Sequence, residues 1–196
     1  LKRWATAALI ALALIAIVAL RKSEPGYAEK IAPVLVPGVR DQRVAGRNFA
    51  AKIGNVKVAH AYLTQGAFSS SEPATVRSSG VWLSVLAEVE ALQKPGYVSA
   101  QLRTRDGLIY PAAGDSRPKV PGIQLTDRPL AVGLPEKGAY FFEVPPDRLE
   151  GLRLQLFWGG LTPPNLDTLL DIDLGIDAAR SQELLAKAPA ELNLRP

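Results

Sequence analysis

The hydrophobic pattern splits the chain at about residue 22 into two regimes. Ahead of that point, Trp4 to Leu20 (WATAALIALALIAIVAL) is an unbroken apolar run, bracketed by Lys2 and Arg3 on one side and Arg21 and Lys22 on the other. An apolar run without a polar stripe predicts a helix that is greasy all round, which a bilayer accommodates. Its seventeen residues reach roughly 26 Å at about 1.5 Å each, slightly less than a hydrocarbon core of about 30 Å, and snorkelling of the flanking basic side chains makes up the difference. A cleavable secretory signal begins in the same way. Against it stand a run longer than an h-region of about 7 to 15 residues, its end in the charged Arg21–Lys22 pair, and the lack of an adjoining small-x-small site. Residues 1–22 are therefore expected to be a retained transmembrane anchor with its amino terminus in the cytoplasm.

Residues 23–47 carry Pro25, Gly26, Pro33, Pro37 and Gly38, which predicts an extended stalk, although IAPVLV within it is apolar enough to add an edge strand. From Asn48 the period becomes two. Val56, Val58, His60 and Tyr62 fall on one face and Lys57, Ala59, Ala61 and Leu63 on the other, with Gly54–Asn55 set to bend or bulge the strand. Gly66 to Gly80 is Ser-rich and reads as a loop. Val81 to Leu92 alternates most strictly, with Val81, Leu83, Val85, Ala87, Val89 and Ala91 on one face. That predicts a central strand, although its Leu, Ala and Glu content favours a helix.

Farther on, Val98 to Thr104 and Leu108 to Tyr110 flank Asp106–Gly107, a hairpin signal, and Pro111 to Gly122 reads as a loop carrying Arg117 and Lys119. Ile123 to Leu134 predicts one or two short strands broken by Pro129 and Gly133. Two strands, Gly138–Val144 and Leu152–Trp158, are joined by a compact turn at Pro145–Pro146–Asp147 with Leu149 packed inward. Leu169 to Asp177 is a last strand, and Ala178 to Ala188 a short helix capped by Asp177 and ended by Pro189. About seven to nine short strands between turn signals predict a sandwich.

Composition narrows the partners. A net charge of +4 over 196 residues and a pI near 9.4 suit anionic lipid or polymer, but the basic residues are scattered, so no nucleic-acid partner is expected. Cysteine is absent, which removes disulfides and thiol chemistry and permits either side of a membrane. The single histidine, His60, leaves histidine metal clusters and His-dependent triads without support, and it reads as a structural residue at a sheet margin.

Asp167, Asp171, Asp173 and Asp177 share strand parity, and Asp171, Asp173 and Asp177 are the candidates for a calcium site. Their plainer reading is the wet face of an amphipathic strand, and no metal or cofactor is expected. Arg103 and Arg105, with Arg117 and Lys119, could offer lipid headgroups or an acidic partner a basic patch. A solvated sheet face is the plainer account. Trp82, Phe157 and Trp158 read as core or rim aromatics. Within the apolar run, seven of the seventeen residues are alanine, and Ala7 and Ala11 form a small-xxx-small pair through which a second helix can approach closely.

The order AGRNFAAKIGNVKVAHAYL, a loop, GVWLSVLAEVEAL, LRTRDGLIYPA, GAYFFEVPPDRLEGLRLQL and a DIDLGI ending resembles telokin-like immunoglobulin-fold domains. Bacteria, especially actinobacteria, attach such domains to the outer end of a single span or lipid anchor. The resemblance covers about residues 38–177. It implies an extracytoplasmic immunoglobulin-like sandwich used for contacts and brings no catalytic residues with it.

The expected fold class is thus all-β. An immunoglobulin-like β-sandwich at 48–177 is preceded by one N-terminal transmembrane α-helix and the stalk, and followed by a short C-terminal helix and tail at 178–196. The expected function is that of a non-enzymatic, single-pass accessory subunit in the cell membrane, docking on a larger envelope complex such as a transporter. Its contacts with integral membrane subunits and the lipid bilayer would run through Ala7, Ala11, Arg103 and Arg105. The alternative is a tethered carrier or sensor for lipid, glycan or calcium.

Overall fold

The computed structural model describes residues 2–23, 26–64, 74–112, 122–160 and 162–194. The chain divides into two compact units, Leu1–Ala32 and Pro33–Pro196. In the first, α1 (Lys2–Ser23) is followed by a single turn of helix, α2 (Tyr27–Lys30). Arg3–Lys22 is long and apolar enough to cross a membrane, and none of it is buried. By length and composition alone it suits an anchor or a secretory signal. Arg21 and Lys22 occupy the last turn of α1, where cations favour the negative end of the helix dipole.

The second unit is a β-sandwich. Its strands are β1 (Val34–Val39), β2 (Arg43–Ala45), β3 (Phe49–Thr64), β4 (Ala74–Ala91), β5 (Val98–Arg103), β6 (Ile109–Pro111), β7 (Glu136–Val144), β8 (Arg153–Trp158), β9 (Thr168–Asp173) and β10 (Leu192–Asn193), with α3 (Ala178–Ala186) between the last two. One sheet has the order β1-β9-β8-β5-β6; the other runs β10-β3-β4-β7, with β2 also on β3. Successive hairpins change sheets, so β4 pairs with β7 and β5 with β8 across the sequence, the interlocked pairing of an immunoglobulin-like sandwich.

Between the sheets lies one apolar core, built from alternate residues of each strand. The face of β4 expected to be core is core throughout, from Val81 to Ala91, and it meets Leu102, Tyr140, Phe142, Leu154, Leu156, Leu170 and Ile172. Tyr140 carries the core's polar tie, its hydroxyl donating to the Val98 carbonyl at 3.0 Å and so joining β7 to β5. Burial pushes the Tyr140 phenol far above its usual pKa, so it remains a donor. The Asp106–Gly107 hairpin forms between β5 and β6 with Gly107 at φ +88. Leu149 is fully buried beneath the 3-10 turn Pro146–Arg148, and the Asp177 carboxylate caps α3 by accepting from Arg180 N–H at 2.7 Å.

Several expectations need correction. Most of the stretch read as a stalk over 23–47 belongs to the sandwich: β1 runs parallel to β9 and β2 antiparallel to β3, and the compact unit begins at Pro33 rather than Asn48. Pro37 is tolerated because even-numbered residues of β1 bond to β9, with Val34 N–H to Asp167 O at 2.8 Å and Arg40 N–H to Asp173 O at 3.2 Å. The donor-less nitrogen of Pro37 therefore falls on the outer edge, where it also interrupts any strand added there.

In β3 the period of two is broken twice, between Ile53 and Val56 and between Ala59 and Ala61. Val56 and Val58 face the core as expected, but Tyr62 turns to the opposite face and His60 stands exposed at the second bulge. Residues 74–80, read as loop, are the start of β4, and 65–73 lie outside the described residues. Ile123 to Leu134 forms isolated bridges to Ala139, Gly96 and Ala91 rather than strands.

The segment after α3 is more than a tail. β10 pairs with Tyr62 and Leu63, His60 N–H donates to the Pro189 carbonyl at 3.1 Å, and Thr75 donates to Glu191 at 3.0 Å. It thereby covers a second cluster on the outer face of its sheet, comprising Ala59, Tyr62, Trp82, Ala139 and Phe141. Burial raises the Tyr62 phenol well above the ordinary range.

Candidate functional site

The sequence-predicted residues fall at three separate places. Ala7 and Ala11 lie four residues apart on α1, hence on one face, with their side chains exposed.

Arg103 and Arg105 are at the end of β5 and in the hairpin turn after it. Arg105 is ion-paired to Glu150 at 3.0 Å, and next to it Arg148 pairs with Asp106, which also accepts from the Thr104 hydroxyl at 2.6 Å. The Thr104 hydrogen bond and the Arg148 guanidinium hold the Asp106 carboxyl below its usual pKa. Thr104, Arg105, Asp106, Asp147, Arg148 and Glu150 line a shallow cleft of about 280 Å³ in which both arginines are paired and the carboxylates are in excess by one. Arg105 is thus tied into an acidic–basic mesh rather than offered as free positive charge. Arg117 and Lys119, read as completing a basic patch, lie outside the described residues.

The three aspartates are dispersed among structural duties. Asp171 is buried on the outer face of the first sheet, where it accepts from Arg153 Nε at 2.7 Å and Gln155 Nε2 at 3.2 Å, and Gln155 in turn accepts from Gln101 at 2.8 Å. Asp173 accepts from Gly175 N–H at 2.8 Å, while Asp177 caps α3. Among the described residues no group of three or more acidic, histidine or cysteine side chains is placed to hold a metal ion. The shared parity seen in the sequence becomes a polar ladder across strands.

A further concavity, absent from the sequence reading, lies on the outer face of the second sheet. It is a groove of about 420 Å³ lined by Lys52, Gly54, Leu86, Ala87, Glu88, Gly122, Ile123, Lys137 and Gly138. Leu86 is its floor, an apolar side chain 38 % exposed on the central strand β4, where the next outward residues are Glu88 and Glu90. The groove exists because both neighbouring strands lack bulk beside Leu86. On β3, Gly54 and Asn55 together oppose it at the first bulge, and on β7 its partner is only Ala139.

Gly54 and Gly138 differ in kind. A Cβ on Gly138 would overlap the Ile123 carbonyl and crowd Leu125, so that glycine lets the wall approach, whereas a Cβ on Gly54 would meet nothing nearer than 3.8 Å. The wall itself is pinned. Ala139 N–H donates to the Ile123 carbonyl at 2.7 Å, Leu125 N–H donates to the Ala139 carbonyl at 3.1 Å, and Arg128 holds the Gly122 carbonyl. At one end Lys52, Glu88 and Lys137 stand in register across three strands. Glu88 pairs with Lys137 at 3.5 Å, and Lys52 has no partner among the described residues. That end therefore keeps one surplus positive charge above an apolar floor.

Sequence reasoning missed this groove because its walls come from residues far apart in the chain. Glycines inside strands were the available signal.

Comparison with known proteins finds similarity at the level of solved structures. An uncharacterised β-sandwich protein from Clostridium difficile 630 is 13% identical and covers 76% of this chain and 99% of its own, with a TM-score of 0.47. The yjhA protein of Bacillus subtilis is 11% identical over 69% of this chain and 99% of its own, also with a TM-score of 0.47. The secreted protein MPT63 of Mycobacterium tuberculosis is 12% identical over 72% of this chain and 99% of its own, with a TM-score of 0.44. No protein-family model and no curated protein matches the chain.

Proposed function

We propose that this protein is a membrane-tethered, non-enzymatic interaction subunit: α1 holds it in the bilayer, and the β-sandwich, outside the cytoplasm, docks on a larger membrane complex of the cell envelope. The observation that carries this reading is α1 itself, with Leu9, Leu12, Leu14, Ile15, Ile17 and Leu20 all exposed along a helix of spanning length. Apolar surface of that extent demands lipid or another helix around it. Ala7 and Ala11 supply the low ridge on which a partner helix packs. The resemblance to tethered telokin-like domains of actinobacteria belongs to the same reading. Tethering raises the effective concentration of the sandwich at its partner's surface, so modest contacts suffice.

Mild-detergent purification from native membranes tests the docking. Stoichiometric membrane subunits should co-purify, and Ala7→Leu with Ala11→Leu should release them while leaving the chain in the membrane fraction. Unchanged co-purification overturns helix docking. Protease protection in intact cells fixes the side, with the sandwich expected to be cleaved from outside.

A second reading, in which the sandwich takes a ligand, is favoured by the apolar groove around Leu86 with Lys52 at its end.

A further inference from the structure

We infer that the groove on the outer face of the second sheet binds an anionic single-chain amphiphile, with its acyl chain along Leu86 and Ile123 and its acidic head against Lys52. This deepens the ligand-binding reading and is independent of whether α1 docks a partner helix.

Three features converge on that chemistry. First, the floor is apolar where a solvated sheet face is ordinarily polar. Leu86 stands between Ser84 and Glu88 on its strand and is left uncovered on the β3 side by the missing side chain of Gly54, while its β7 partner is the small Ala139. A groove of about 420 Å³ falls in the usual size range of small-ligand sites, roughly 300–1,000 Å³.

Second, Gly54 keeps space that neither backbone strain nor packing requires it to keep. It is not in the left-handed region, and an added Cβ would touch nothing closer than 3.8 Å. Any larger residue there would cover Leu86 and bury apolar surface, so the open floor runs against the sandwich's own stability.

Third, the charges are asymmetric. The row Lys52–Glu88–Lys137 holds two cations and one anion, Glu88 is engaged by Lys137, and the ammonium left over sits at one end of the apolar floor. An apolar trough with one cation at its end is complementary to a chain with one acidic head. A cationic or zwitterionic head gains less there, and a peptide strand finds no free edge, because the β7 backbone beside the groove is already bonded to Ile123 and Leu125.

The test uses the full chain in phosphatidylcholine nanodiscs with a photoactivatable fatty acid, its matched fatty alcohol, and a phosphatidylglycerol carrying the same photoreactive chain. Cross-links are mapped by mass spectrometry. Labelling is expected on peptides containing Leu86 and Ile123, more strongly by the acid than by the alcohol. Gly54→Leu should cut it about tenfold or more. Lys52→Glu, a fully surface change, should cut labelling by the acid severalfold and leave the alcohol unaffected. Thermal melting of both variants checks that they fold. Labelling from the added acid indicates a free ligand, and labelling from phosphatidylglycerol indicates a bilayer lipid; either supports the site if it responds to both substitutions.

Equal labelling by acid and alcohol, or labelling indifferent to both substitutions, overturns the inference. Labelling elsewhere on the sandwich sinks this site but leaves the ligand-binding reading standing. No labelling of any part of the chain sinks both, whereas a groove protected by a co-purifying protein sinks this site alone.

Discussion

At the scale of single residues, the molecule shows how one side-chain type serves different ends according to its register. Asp171 was legible as one of a series with common parity, but the strand ends at Asp173 and Asp177 caps α3 instead. What the sequence did not show is that Arg153 and Gln155, on the neighbouring strand, point at the same carboxylate. Cross-strand partners depend on pairing, and pairing is invisible in a linear pattern. Arg153→Ala would leave Asp171 buried without its charge partner. A loss of about 1–3 kcal/mol in urea unfolding is expected; an unchanged midpoint would show that Gln155 alone satisfies the carboxylate.

Glu183 offers a pH test on a helix surface. Its hydrogen bonds to Lys187 and Arg180 lower its pKa from 4.5 to about 2. A depressed pKa means that the folded state favours the ionised form. The stabilisation is therefore fully present above about pH 4.5 and is lost as pH falls toward about 2. In Glu183→Gln the melting temperature should fall less steeply across that window than in the parent; parallel curves would contradict the assignment.

At the scale of elements, legibility followed regularity. β4 was readable from Val81 onward because its alternation is unbroken there and one face is wholly core. β3 was misread past Ala59 because a bulge adds one residue and reverses the parity of everything after it, sending Tyr62 outward. β1 and β2 carry the sequence pattern of a stalk because Pro37 and Gly38 are ordinary linker residues. On an edge strand Pro37 gives up only a donor that has no partner.

β10 escaped notice because two residues carry no period, yet it covers Trp82, Tyr62 and Phe141. Ending the chain at Ala188 should uncover these rings. Each large apolar side chain exposed is worth about 1.5–3 kcal/mol. The truncated protein should melt earlier and its tryptophan emission should shift to the red. Emission and melting identical to those of the full chain would mean that the segment does not cover this face.

At the scale of the whole molecule, the chain joins an apolar helix that needs lipid or protein around it to a sandwich whose side chains largely satisfy one another. Arg105 and Arg148 at the β5–β6 end are paired, Asp171 is engaged by Arg153, and the outer edge of β1 is interrupted by proline. Against that background the groove beside Leu86 stands out. It was hidden from the sequence because Gly54 on β3, Leu86 on β4 and the Ile123 wall beside β7, far apart in the chain, create it jointly. The N-terminal apolar helix, by contrast, was plain, since one uninterrupted run carries all the information.

Native mass spectrometry of the protein, extracted from its own membranes in mild detergent, tests the central claim most directly. The account predicts an intact chain that retains α1 and is bound in fixed ratio to another membrane subunit. A mature mass lacking residues 2–23, or an intact chain with no subunit attached, would contradict it.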